Sequence, residues 1–293
     1  MNIGILASGG DGAGMNYCLY TLYKRLYKYH KITLFSRGFW GLIRDITLDY
    51  DLKFLRKIKN IGGICIKTSR CKEMQTSEGV DNAIQTLKKH DIDCLVVMGG
   101  NGSLNALKEI HDRGMDVIFI PCTIDNDIVG SDYTIGYDTA CNNCTQFILQ
   151  VNDTMKSFNR VCIYQAMGRN CPQIAITVGK NVKADYVYTD EFCSKEDCKN
   201  AIQNSTKDAP IVILRENLID INELKSYLEQ TLKLDVRTCI VGYIQRGGKP
   251  TQLEKRYAHK FAKLCATSIN QNKLNSALIS KNNSFYVIDI NHI

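Results

Sequence analysis

The sequence predicts an α/β protein of two three-layer α/β/α domains with mostly parallel sheets, on three observations. Short apolar runs recur along the 293 residues, amphipathic stretches separate them, and glycine clusters follow two of the runs directly. At roughly 150 residues per domain the length suits about two domains. The 44% hydrophobic and 23% charged content is ordinary globular usage, which excludes disorder, collagen and coiled coil.

The apolar runs fall at residues 3–7, 32–35, 64–67, 94–98, 117–120, 161–165, 211–214 and 239–241, and each reads as a strand. Between the fourth and fifth runs, Leu104, Leu107 and Ile110 share one face of a helix over 103–111. Crossover helices of this kind imply parallel neighbours. The four prolines, Pro121, Pro172, Pro210 and Pro250, mark no linker, and composition alone places no domain boundary.

No apolar run approaches the ~18 residues of a membrane helix, and Ser8-Gly9-Gly10 interrupts the start too early for a secretory signal, so a cytoplasmic protein with no membrane partner is expected. Thirteen scattered cysteines lack the dense spacing of a secreted scaffold and read as reduced thiols. The formal charge of +7 suits either nucleic acid or a phosphorylated metabolite. With no Lys/Arg block and no RNA-binding signature, small anions are expected and nucleic acid is not.

Two glycine loops, 8–14 and 99–103, follow strands, where ligands bind in open parallel sheets. The first has neither the dinucleotide nor the P-loop spacing; it reads as a phosphate cradle of backbone N–H groups or as a plain tight turn. In the second, Ser103 is placed to cap the following helix. Residues 121–128 carry Asp125 and Asp127 beside Thr123. In an extended loop both carboxylates point the same way, one as proton acceptor and one beside a cation; the other reading is an Asx-rich turn. Cys141-x-x-Cys144 has no matching pair or histidines and reads as helix packing. None of the five histidines is expected to be catalytic, and Trp40 reads as a loop anchor.

The strings at 3–16 and 68–71, Gly99-Gly100-Asn101-Gly102-Ser103, Thr123-Ile124-Asp125-Asn126-Asp127, residues 135–140, Met167-Gly168-Arg169 and Gln245-Arg246-Gly247-Gly248 resemble the 6-phosphofructokinase family in order and spacing. The resemblance runs from residue 3 to about 283. It implies a phosphofructokinase-like fold that divides into 1–136 with 249–279, 137–248, and a C-terminal strand or tail at 280–293. It also implies transfer of the γ-phosphoryl group of ATP to the C1 hydroxyl of fructose 6-phosphate, with Mg²⁺, in a cleft between the domains. Phosphoryl transfer needs placed phosphates, counter-charge and a base near the hydroxyl, which suits these residue types.

By this resemblance Asp125 is the base, and Asp127 supports it and the metal region. Thr123 and Arg169 hold the transferring group, with the N–H of Gly10 donating to it. Gly10, Arg70, Cys71, Gly100, Asn101, Gly102 and Ser103 contact the nucleotide, and Asn101 and Asp127 the metal. Thr123, Ile124, Asp125, Met167, Gly168, Arg169, Glu216, Tyr243 and Arg246 contact the sugar phosphate within one subunit. Arg160 and Arg237 reach it from a neighbour, which implies a homo-oligomer, in the family a tetramer.

Gly102 and Cys122 stand where pyrophosphate-using members carry Asp and Lys, and so leave room for the α-phosphate of ATP. Several positions depart from the pattern. Asn101 replaces an aspartate at the metal and keeps an oxygen ligand without the charge that hard Mg²⁺ prefers. Tyr243 replaces a histidine and Phe39 a tyrosine, while Tyr20, Lys24, Asn152 and Ser205 replace effector-site arginines. Asn101 and Tyr243 motivate a second expectation, a weakened paralogue that binds nucleotide or sugar phosphate as a regulatory or structural subunit. The 99–103 string also resembles NAD and lipid kinases, which are not expected to carry the 167–169 and 245–248 strings together.

Overall fold

Side-chain alternation sets the layers of the first sheet. In β1 (Asn2–Ala7), Ile3, Ile5 and Ala7 enter one hydrophobic cluster and Leu6 another. In β4 (Cys94–Gly99), Cys94, Val96 and Met98 face the first cluster, Leu95 and Val97 the second; β5 (Asp116–Thr123) divides in the same way. A sheet apolar on both faces must be covered on both, so these strands read as unbroken apolar runs.

The computed structural model describes residues 1–293 and falls into two units, Met1–Tyr137 with Gly248–Ile293, and Asp138–Gly247. The first unit adds β2 (Lys31–Phe35), β3 (Thr47–Leu48), β6 (Ile135–Gly136), β11 (Ser276–Lys281) and β12 (Ser284–Asp289). The sheet order is β12-β11-β5-β4-β1-β2-β3, with β6 beside β5. Only β3 and the edge strand β12 run antiparallel to their neighbours. One face is covered by α1 (Met15–Leu26), α3 (Leu52–Ile58) and α10 (Gln252–Asn270). The other is covered by α2 (Gly38–Ile43), α4 (Ser77–Lys89) and α5 (Asn101–His111). Leu104, Leu107 and Ile110 are the buried face of α5, as their spacing predicts.

In the second unit, β7 (Val161–Ala166), β8 (Tyr186–Tyr188), β9 (Ile211–Arg215) and β10 (Val236–Ile240) form a fully parallel sheet in the order β10-β7-β9-β8. α8 (Lys195–Gln203) and α9 (Ile221–Leu232) bury Cys198, Ile202, Leu224 and Leu228 against Val161, Ile163, Val212 and Leu214. α6 (Tyr137–Ser157) and α7 (Gln173–Val182) complete the unit. Cys141 and Cys144 are buried in α6, and all thirteen cysteines are free thiols.

Three expectations change. Residues 64–67 form a loop: the N–H of Cys65 donates to Asn16 Oδ1 (2.8 Å), Asn16 Nδ2 donates to the Ile61 carbonyl (3.0 Å), and Lys67 takes φ 65°. Ile64 and Ile66 are buried with the two-residue spacing of a strand, which is why the segment imitates one. β10 begins at Val236, ahead of the predicted 239–241, because Arg237 and Thr238 interrupt its apolar run. Trp40 lies in the short helix α2, with the Arg44 guanidinium 4.3 Å from its ring centre.

Candidate active site

In the first unit three strand ends bring their loops together. The N–H of Ser8 donates to the Met98 carbonyl (3.0 Å), the last β1–β4 link before the chain turns away. Gly9 takes φ +88°, the left-handed region that favours glycine. Two hydroxyls then hold successive carbonyls: Ser103 Oγ donates to that of Ser8 (3.0 Å) and Thr68 Oγ1 to that of Gly9 (2.9 Å). In a trans peptide the carbonyl and the following N–H point in opposite directions, so the Gly10 N–H is aimed away from Thr68.

The second loop lies against the first and third. A Cβ at Gly99 would meet the Ser8 carbonyl oxygen at 2.7 Å, and one at Gly100 would meet Thr123 Cβ at 3.3 Å. Asn101 Nδ2 donates to the Asp127 carbonyl (3.2 Å), and a Cβ at Gly12 would lie 3.5 Å from Ile124 Cγ2. Residues 8–12, 99–103 and 123–127 therefore converge within this unit, beyond the carboxyl ends of β1, β4 and β5. This is where open α/β sheets bind ligands.

The structure corrects three details here. Ser103 does not cap α5. Gly100 is the N-cap without a side-chain bond, and the buried Ser103 hydroxyl serves Ser8 instead. Residues 124 and 125 form a turn: Asn126 then takes φ 54°, and the N–H of Asp125 donates to Thr123 Oγ1 (3.2 Å), so the extended-loop alignment of Asp125 with Asp127 does not hold. Of Gly102 and Cys122, only Gly102 borders open space, with nothing within 4 Å of an added Cβ. Cys122 is 1% exposed, and burial pushes its thiol well up. Phe39 is likewise a core residue.

Arg70 is exposed, and Cys71 is half-buried with Sγ 3.5 Å from Glu73 Oε2; burial raises its thiol. Both follow Thr68, which ties this segment to Gly9. Sequence reasoning missed Glu254, a fully buried carboxylate on α10 whose Oε1 accepts from the Gly136 N–H (2.8 Å). Its signal was Thr251-x-x-Glu254, a capping-box pattern. Thr251 caps the helix as that pattern predicts, accepting from the N–H of Glu254, while the Glu254 side chain supports Gly136 beside Gly12.

In the second unit the candidates again follow strand ends, at three neighbouring strands. Met167, Gly168 and Arg169 follow β7, Glu216 follows β9, and Tyr243 and Arg246 follow β10. Glu216 Oε1 accepts from the N–H groups of Gly168 (3.1 Å) and Arg169 (2.9 Å). Gln245, 1% exposed, accepts from the Met167 N–H (3.3 Å), and Asn143 Nδ2 donates to the Gly247 carbonyl (2.8 Å). Tyr243 is 80% exposed, with the Arg246 guanidinium 5.9 Å from its ring centre.

Arg160 and Arg237 are not brought to this group. They lie toward the amino ends of β7 and β10, separated from it by the length of β7, a rise of roughly 20 Å at ~3.3 Å per residue. Both pair there with Asp235, at 2.6 and 3.1 Å.

The family model for phosphofructokinase matches residues 2–269. The chain belongs to the phosphofructokinase family. It is 34% identical over 293 residues to the ATP-dependent 6-phosphofructokinase of Clostridium botulinum strain Hall, covering 98% of this chain and 92% of that protein. The protein of that name from Clostridioides difficile strain 630 is 36% identical over 263 residues, covering 88% and 82%. Among solved phosphofructokinases, that of Pichia pastoris superposes with a TM-score of 0.92 at 24% identity; the match takes in 99% of this chain and spans 35% of that one. The pyrophosphate-dependent phosphofructokinase of Nitrosospira multiformis superposes with a TM-score of 0.87 at 15% identity, over 100% and 84%.

Proposed function

We propose that this chain transfers the γ-phosphoryl group of ATP to the C1 hydroxyl of fructose 6-phosphate, a glycolytic reaction. The observation that carries the reading is the convergence of the loops at residues 10, 101 and 125 beyond three adjacent strand ends. In this reading the first unit holds the nucleotide through Gly10, Arg70, Cys71 and residues 100–103. The open space beside Gly102 supports a donor with an α-phosphate. Asp125 accepts the hydroxyl proton as the oxygen attacks, and Asp127 supports it. The Gly10 N–H, Thr123 and Arg169 meet the charge on the moving group.

The sugar phosphate is held by Met167, Gly168, Glu216, Tyr243 and Arg246 of the second unit, and Ile124 and Asp125 of the first are its other proposed contacts. Arg160 and Arg237 serve the site of a neighbouring copy, which their position at the opposite, amino ends of β7 and β10 supports. A homo-oligomer, tetrameric as in the family, is the proposed assembly. A cytoplasmic location is proposed as well; no helix is long and apolar enough to cross a membrane.

No group of three or more His, Cys, Asp or Glu side chains is arranged to hold a metal ion. Mg²⁺ binds through substrate phosphates, water and one or two carboxylates rather than an all-protein cage. Asp127 and the amide oxygen of Asn101 are the ligands this chain would offer, and the ion would neutralise phosphate charge. One observation favours a second reading: the Asn101 amide is engaged with the Asp127 carbonyl and brings no charge to the metal, as in a weakened paralogue that binds the same ligands. A coupled assay with fructose 6-phosphate and Mg-ATP separates the two. Turnover lost in Asp125→Ser supports the enzyme; ligand-induced thermal shifts without turnover support the paralogue.

A further inference from the structure

Arg215 ends β9, whose five residues are all buried, in a sheet where β9 lies between β7 and β8. Such a position calls for an apolar side chain. Arg215 instead places an always-charged guanidinium there, at 7% exposure. Burying that charge is costly unless it is fully hydrogen-bonded.

Its bonds go to main chain at two other strand ends: Nη1 donates to the Arg169 carbonyl (2.7 Å) and Nε to the Thr189 carbonyl (2.8 Å). The next residue, Glu216, takes the N–H groups of Gly168 and Arg169. Two consecutive side chains thus grip one short segment, the acid by its N–H groups and the base by its carbonyl. That segment needs holding, because Arg169 takes φ 50° without being glycine and Gly168 takes φ +141°.

We propose that Arg215 is a positioning residue that fixes the Arg169 backbone, so that the Arg169 side chain leaves the strand end in one direction. The catalytic half of this inference rests on the reading of Arg169 given above; the conformational half does not. Asp190 supplies nearby counter-charge. Its carboxyl is held below the usual carboxylate range by the Thr189 hydroxyl first, the Phe192 N–H next, and the charge of Arg215 last.

The test uses the full chain with Arg215→Met, which keeps length and loses every donor, and Arg215→Lys, which keeps the charge and part of the donor set. Hydrogen exchange of the peptide spanning 167–172 reads the conformation. Steady-state kinetics with Mg-ATP and fructose 6-phosphate, corrected for folded fraction, read the chemistry. Arg215→Met is expected to speed exchange at residues 169–171 about tenfold and to lower kcat by about 10–100-fold, as a misplaced group does. KM for fructose 6-phosphate should rise by less than kcat falls, since Gly168 and Arg169 of the gripped segment are among the assigned sugar-phosphate contacts while Tyr243 and Arg246 are not gripped by Arg215. Arg215→Lys should fall between Met and wild type in both readouts, and it carries the test where the Met variant does not fold.

Exchange and kcat per folded molecule within twofold of wild type, with only a lower melting temperature, would overturn the proposal. If wild type makes no bisphosphate, the assigned reaction fails, and exchange alone still decides whether Arg215 holds the segment.

Discussion

Thr68→Val removes one hydroxyl and almost no volume, from a side chain whose single described hydrogen bond supports the glycine loop. The Gly9 carbonyl would lose its 2.9 Å partner at a part-buried position. An unsatisfied group of this kind costs about 1–2 kcal/mol. For a unit of this size that is a fall in melting temperature of roughly 2–8 °C. The functional effect comes through peptide geometry: once the carbonyl is free to rotate, the N–H of Gly10 in the same peptide plane rotates with it. Complete removal of a transition-state donor costs about 10²–10³-fold in kcat, so loosening one predicts about a tenfold loss. The assay is kcat with saturating Mg-ATP and fructose 6-phosphate beside a urea melt, and Thr68→Ser, which retains a donor, should stay near wild type. A variant destabilised by the expected amount with unchanged kcat would refute the link between Thr68 and the Gly10 N–H.

Four further outcomes are expected. Asn101→Asp places a carboxylate where an amide now donates to the Asp127 carbonyl, and should raise activity or lower the Mg²⁺ concentration for half-maximal rate; a titration with both unchanged would show this loop is misassigned. Asp45 bonds Lys89 (2.6 Å) and His90 (2.5 Å), which hold its carboxyl below the usual range, so its contribution is present above about pH 4 and lost as pH falls through the lowered value; urea melts of Asp45→Asn should differ from wild type at pH 7 and converge in acid. Thiol titration of native protein should find at most the half-buried Cys65, Cys71, Cys171, Cys193 and Cys239, the others reacting only after denaturation. If Arg237 serves a neighbouring copy, mixing Arg237→Ala with Asp125→Ser chains should restore activity that neither shows alone, and absence of rescue in verified mixed oligomers would place Arg237 outside the site.

The strands at 3–7, 94–98 and 117–120 were legible because parallel strands buried on both faces are continuous apolar runs. The loop at 64–67 deceived for a related reason: Ile64 and Ile66 are buried, but the N–H of Cys65 between them goes to the Asn16 side chain and their carbonyls accept from the N–H groups of Lys67 and Arg37, so no strand ladder forms. β6 and β8 are too short, at two and three residues, to leave a periodic signal. In the site, the glycine loops and Asp125 could be read because local strings carry them. Their supports could not: Thr68 acts across 59 residues on Gly9, Arg215 across 46 on Arg169, and Glu254 across 118 on Gly136. Such pairings exist only once the sheet order is formed, and Ser103 shows the consequence, since a serine at a helix start satisfied a distant carbonyl instead of capping.

Phosphorus NMR of a reaction containing Mg-ATP and fructose 6-phosphate tests the central claim most directly, with wild type and Asp125→Ser run in parallel. One fructose 1,6-bisphosphate should form for each ADP with wild type, and turnover should collapse in Asp125→Ser while both substrates still bind. ADP released without the bisphosphate, or bisphosphate formed equally well by the serine variant, would contradict the account.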